Sequence, residues 1–195
     1  MATEASFAAV VLAAGQASRF GGGKLLALYE GRPLLYHALA AAKAAPVGEI
    51  VVVTGADAAT VAACAHAFDP GLQIVHAADH AEGMGASLRT GVAALSPAAG
   101  VFVFLGDMPR VPHAVLPALA DAVREGATAA APEFEGRRGN PVLLSRALFP
   151  AVAALRGDTG ARAVLQDLGS GLALVEAQDD GVLFDVDQPA DLARR

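Results

Sequence analysis

The feature that most constrains this chain is a set of short apolar runs that do not alternate with polar residues. Val51-Val52-Val53 and Val101-Phe102-Val103-Phe104 place apolar side chains on consecutive positions. Successive residues of a strand point to opposite faces of a sheet, so a run of this kind fits a strand covered on both sides. Runs at residues 7–12, 49–54, 72–75, 101–105 and 128–131 are separated by alanine-rich, helix-competent stretches, which is the pattern of successive βαβ units. The expected fold is therefore α/β, a Rossmann-like three-layer α/β/α arrangement with a mostly parallel sheet. No repeat, low-complexity linker or charge run divides the 195 residues, and 1–195 is read as a single domain.

Composition removes several classes of function. Although 54% of the residues are apolar, the longest unbroken runs, such as 7–14 and 101–105, stop far short of the roughly 18 residues a membrane-spanning helix needs. Residues 7–14 are read as a first buried strand rather than the core of a signal peptide, since no Lys or Arg precedes them and Glu4 does. The single cysteine, Cys64, allows no internal disulfide and has no neighbours at metal-ligand spacing, which suits a reducing cytoplasm. A net charge of −6 without a basic stripe argues against polymeric nucleic acid as a partner. A small anion needs only a local positive pocket.

In open α/β sheets ligands sit beyond the carboxyl ends of the strands, so the loops that follow strands carry the functional expectations. The first runs from Leu12-Ala13-Ala14-Gly15 through Arg19 to Gly21-Gly22-Gly23-Lys24. Its glycines let backbone N–H groups approach a ligand closely, and Arg19 and Lys24 add positive charge, so it reads as a phosphate cradle. Lys24 is followed by Leu25 rather than Ser or Thr, which separates it from the P-loop of ATPases, and no dinucleotide G-x-G-x-x-G is present. The alternative is a surface turn with two solvated cations. A second loop, Gly106-Asp107-Met108-Pro109, puts a carboxylate after the run 101–105, where Asp107 either binds a hard divalent cation or caps a turn. Near the C-terminus, Asp185-Val186-Asp187-Gln188-Pro189 is read as an extended piece with its two carboxylates on opposite faces. Only one, Asp187, is then a candidate metal ligand, its alternative role being the N-cap of a short last helix at Pro189.

Together these three segments resemble the signatures of the nucleotidyltransferases that make molybdenum cofactor dinucleotides, and the resemblance extends over nearly the whole chain. The pattern is most similar to the molybdenum cofactor cytidylyltransferases. Arg138-Gly139-Asn140-Pro141 resembles their R-G-H-P motif, with Asn140 where the motif has histidine, and Gly157-Asp158-Thr159-Gly160-Ala161-Arg162 resembles their G-D-x-G-A-R motif. What the resemblance implies is a nucleotidyltransferase fold that transfers CMP from CTP to molybdopterin and releases pyrophosphate. It implies Mg²⁺, or Mn²⁺, as cofactor and a molybdoenzyme as recipient of the product. The implied nucleotide site comprises Leu12, Ala13, Ala14, Gly15, Gly21, Gly22 and Gly23, joined by Gly83 and Ser87 of the segment Gly83-Met84-Gly85-Ala86-Ser87-Leu88-Arg89. Arg19, Lys24 and Asp107 are the expected catalytic groups, and Asp107 and Asp187 the expected metal ligands. Arg138, Asn140, Asp158 and Arg162 are expected to meet the acceptor. Ser87 has a plainer alternative as the N-cap of its helix, and Arg162 as an exposed helix charge. Guanylyl transfer to the same acceptor, cytidylyl transfer to an isoprenoid precursor, and binding without turnover are the competing readings.

Overall fold

The computed structural model describes residues 6–16, 19–157 and 159–194. Its central sheet is built from β1 (Phe7–Ala13), β4 (Val47–Thr54), β5 (Gln73–His76), β6 (Gly100–Leu105), β7 (Ala129–Phe134), β9 (Val142–Ser145) and β10 (Leu172–Glu176), in the order β10-β7-β9-β6-β1-β4-β5. A short strand β8 (Arg137–Arg138) hangs from β7, and β2 (Leu28–Tyr29) pairs with β3 (Arg32–Pro33) in a separate hairpin. The β1–β4, β1–β6, β4–β5 and β7–β10 pairs are parallel, whereas β9 runs antiparallel between β6 and β7. The helices are α1 (Leu34–Ala44), α2 (Ala58–Phe68), α3 (Met84–Ala93), α4 (Val115–Arg124), α5 (Phe149–Ala153) and α6 (Gly160–Gln166).

Non-alternating strands produce the expected three layers. Phe7, Ala9, Val11 and Ala13 of β1 pack with α1, α2 and α4 on one face, while Val10, Leu12 and Ala14 pack with α3, α5 and α6 on the other. Phe102 anchors the first core, edge-on to Phe7 at 6.2 Å and stacked with Phe104 at 6.0 Å. Helix α3 approaches the sheet where it has no side chain. A Cβ on Gly91 would lie 2.6 Å from Val10 Cγ1 and 2.8 Å from Val53 Cγ2.

Two features exceed the sequence expectation. β9 and β10 complete the sheet beyond the anticipated runs, and β7 begins one residue later and ends three later than residues 128–131 suggest. Both hairpins turn on Glu-Gly pairs, Glu30-Gly31 and Glu135-Gly136, with all four residues at positive φ, the backbone a tight two-residue hairpin requires. No helix among the described residues is long and apolar enough to cross a membrane.

Candidate active site

The chain builds β4 and β5 on one side of β1 and then crosses to place β6 on the other. The loops leaving β1 and β6 therefore diverge at their carboxyl ends, which opens a crevice at the reversal of strand order. Both of the acid- and glycine-bearing loops singled out from sequence open here, tied at their roots by Gly106 N–H donating to Leu12 O at 2.9 Å. In the glycine-rich loop, Gly21, Gly22 and Gly23 adopt φ of 90°, 97° and 62°, a left-handed path that a Cβ disfavours. That path delivers Lys24 into a short 3₁₀ turn, Lys24–Leu26, whose Leu25 and Leu26 pack on the apolar core and so orient the lysine. Lys24 Nζ donates to Asp107 Oδ2 at 2.7 Å, with both side chains largely covered. Arg19 Nη1 donates to Asp187 Oδ2 at 2.6 Å in a far more exposed pair. Each expected catalytic cation thus rests on one of the two expected metal carboxylates. Ala17 and Ser18 of this loop lie outside the described residues.

The acidic segment corrects the sequence reading. Asp185 and Asp187 do not face opposite ways; both line one cleft with Asp107. Alternate residues of extended chain share a face, and here Val186 between them is fully buried with Tyr29, Leu34 and Phe184. Val186 N–H donates to Asp107 O at 3.0 Å, which brings the two acidic loops together. Burial raises the Asp185 carboxyl above its ordinary value, and the charges of Asp107 and Asp187 add to that rise. Nor is Asp187 the helix cap. Gln188 holds that place in a capping box with Asp191, whose carboxylate accepts from the backbone N–H groups of Asp187 and Gln188 at 3.0 Å each. Those bonds hold Asp191 below the ordinary aspartate range.

Around this centre lie two clefts that share Leu105 and Met84. One, about 590 Å³, is lined by Leu12, Ala14, Gly15, Gly83, Ser87 and the three carboxylates, together with Gln16, His80 and Glu82, which the sequence did not single out. Ser87 is not a cap; Gly83 occupies the N-cap of α3, and Ser87 lies buried inside the helix. Ala13 lines a smaller pocket behind Lys24, with Gly15 and Gly23. Gly21 and Gly22 shape the loop without lining these clefts. The second large cleft, about 580 Å³, brings Arg138, Asn140 and Arg162 together with Thr159 and Arg137. Arg137, adjacent in sequence to the motif arginine, was missed because a single cation next to a motif carries no signal. Asp158 lies outside the described residues.

The carboxylate oxygens of Asp107, Asp185 and Asp187, at the mouth of a positively charged loop, fit a hard divalent cation such as Mg²⁺ or Mn²⁺. Among the described residues no three His, Cys, Asp or Glu side chains stand close enough to hold a metal by themselves. Cys64 belongs to α2, where burial raises its thiol above the ordinary value.

The model of the MobA-like NTP transferase domain matches residues 9–176. The chain is 34% identical to nicotine blue oxidoreductase of Paenarthrobacter nicotinovorans, over 91% of this chain and 90% of that protein. It is 33% identical to the purine catabolism protein PucB of Bacillus subtilis, over 95% of each. Among solved structures, Rv0371c of Mycobacterium tuberculosis superposes with a TM-score of 0.86 at 30% identity, covering 98% of this chain and 97% of that one. A manganese complex of the same mycobacterial protein superposes with a TM-score of 0.74 at 28% identity over 88% of both chains.

Proposed function

The chain belongs to the family of MobA-like NTP transferases, and from that premise we propose that it transfers CMP from CTP to the terminal phosphate of molybdopterin. An oxygen of the acceptor phosphate attacks the α-phosphorus of CTP, the bond from the α-phosphorus to the bridging oxygen breaks, and pyrophosphate leaves. The observation that carries this reading is a cleft that holds Asp107, Asp185 and Asp187 beside the Lys24 loop and adjoins, at Met84 and Leu105, a second cleft lined by arginines.

In-line attack on phosphorus is accelerated mainly by positioning and by neutralising charge on the phosphate oxygens. Lys24 and Arg19, released from Asp107 and Asp187, would turn to the triphosphate, while the loop glycines allow its close approach. Asp107 and Asp187, with Asp185 beside them, would hold the divalent cation, which supplies charge neutralisation at the α-phosphate. The manganese complex of the mycobacterial relative supports a metal in this family. Arg137, Arg138 and Arg162 have no acidic partner among the described residues and would receive the phosphate of the acceptor. The attacking phosphate is already ionised at neutral pH, so no general base is assigned. The motifs at 138–141 and 157–162 support molybdopterin as acceptor, and the alanine at position 14 supports CTP as donor.

One relative is named an oxidoreductase, and the acidic cluster discriminates against that chemistry here. Hydride transfer gains nothing from three carboxylates facing one cleft, whereas metal-assisted transfer uses them. The deciding experiment mixes each of the four NTPs with molybdopterin and Mg²⁺ or Mn²⁺ and follows pyrophosphate. The expected outcome is release with CTP and its loss, by well over about tenfold or 1.4 kcal/mol of barrier, in a folded Asp107→Ala variant. Release with GTP alone would replace the cytidylyl reading by the guanylyl one. No release with any NTP would leave a binding protein.

A further inference from the structure

The nucleotide cleft and the acceptor cleft are formed by segments far apart in sequence, yet their facing walls are fastened by one side chain. Arg89 projects from the second half of α3, with its side chain about one-fifth exposed. Its Nη1 donates to Leu155 O at 2.5 Å, while Nη2 lies 3.4 Å from Glu82 Oε2 and 3.9 Å from Asp79 Oδ2. Glu82 belongs to the wall of the nucleotide cleft. Leu155 lies between α5 and α6, and beyond it Thr159 and, in the first turn of α6, Arg162 line the acceptor cleft.

Other contacts fit the same seam. Gly85 N–H donates to Gly157 O at 3.1 Å, and Arg156 Nη1 reinforces the carbonyl of Leu155 at 2.8 Å. The two backbones approach so closely that a Cβ on Gly85 would sit 2.9 Å from Gly157 O, and one on Gly160 would sit 2.7 Å from Met84 Sδ. Met84 itself lines both clefts. Arg89 itself lines neither cleft, so its influence on a substrate would pass through the groups it holds.

We propose that Arg89 is a positioning residue: its planar fork joins the nucleotide wall at Glu82 to the Leu155 carbonyl ahead of α6 and thereby sets where Thr159 and Arg162 meet the acceptor. A guanidinium suits this task because its donors diverge in a fixed plane and reach a carbonyl and a carboxylate at once. An ammonium at the same place reaches one of them. The inference rests on the assignment of the second cleft to the acceptor, so its test has one arm that needs no acceptor.

In that arm, backbone hydrogen exchange is measured on the full chain without substrate. Arg89→Ala should accelerate exchange at amides 156–162 while α3 and the sheet keep wild-type protection. In the kinetic arm, Arg89→Ala should raise the KM for molybdopterin about tenfold with the KM for CTP changed by less than about twofold, and Arg89→Lys should fall between. Unchanged exchange at 156–162, acceleration spread over the whole chain, or an equal rise in both KM values overturns the proposal. If the wild type transfers nothing to molybdopterin, the functional reading fails and the exchange result still decides the role of Arg89.

Discussion

At the scale of single residues, the site is a balance of charges that each need another. Asp185 illustrates the cost: its carboxyl is raised by burial and by Asp107 and Asp187, so its ionised form is disfavoured in the folded chain. The sign follows directly. A raised carboxyl opposes folding at pH above its folded value, and this penalty disappears below the unfolded value of about 3.9. Asp185→Asn, measured in EDTA, should therefore unfold at a higher temperature than wild type at neutral pH, with the gap closing as the pH falls toward that value. Added Mn²⁺ should raise the wild-type midpoint more than that of the variant. Ala14 supports a second prediction. It lines the cleft proposed for the nucleotide, and its methyl lies against Gly55, where a Cβ would stand only 2.8 Å away. A purine seated against that turn would meet the methyl, and overpacking costs about 1–3 kcal/mol. CTP should be preferred over GTP by a factor of roughly 5 to 150 in kcat/KM, and Ala14→Gly should shrink that ratio. An unchanged ratio would place base selection elsewhere in the cleft.

At the scale of elements, the last short helix keeps the acidic segment in place. The 3₁₀ segment Pro189–Ala193 begins with Pro at its first turn, and the Asp191 carboxylate binds the N–H groups of Gln188 and Asp187. Its lowered value means that the ionised form favours the folded state. That contribution is complete above the ordinary carboxyl range near 3.9 and is lost as pH falls through the lowered folded value. Asp191→Asn should accordingly lower the thermal midpoint at neutral pH and differ less from wild type as the pH falls through the lowered folded value. A difference independent of pH would mean that packing, not charge, holds this turn.

At the scale of the whole molecule, two apolar layers share one sheet, and β1 contributes to both. Neither layer can be lost without exposing the other face of the same strands. Heat should therefore give a single cooperative transition, with calorimetric and van't Hoff enthalpies equal. Two separated transitions would show that residues 1–195 do not behave as one domain. Mg²⁺ with CTP should shift the transition upward, by about 2.7 kcal/mol at a hundredfold excess over Kd.

Layering was legible in Val51-Val52-Val53 and Val101-Phe102-Val103-Phe104 because burial on both faces is written into consecutive residues. The glycine-rich loop and Asp107 were legible because each directly follows such a run. The antiparallel β9 was not. Four residues, Val142–Ser145, insert between β6 and β7 through pairing with both neighbours, and register between distant strands leaves no local mark. Pairing of charges was equally hidden. Arg19 meets Asp187 and Lys24 meets Asp107 across 168 and 83 residues of chain. Local sequence settles which segments are strands and which loops carry charge, because periodicity and turn chemistry act over a few residues. Which carboxylates share a cleft was decided by the reversal of strand order at β1 and by the bond from Val186 N–H to Asp107 O, since contacts of that span exist only once the sheet has closed around them.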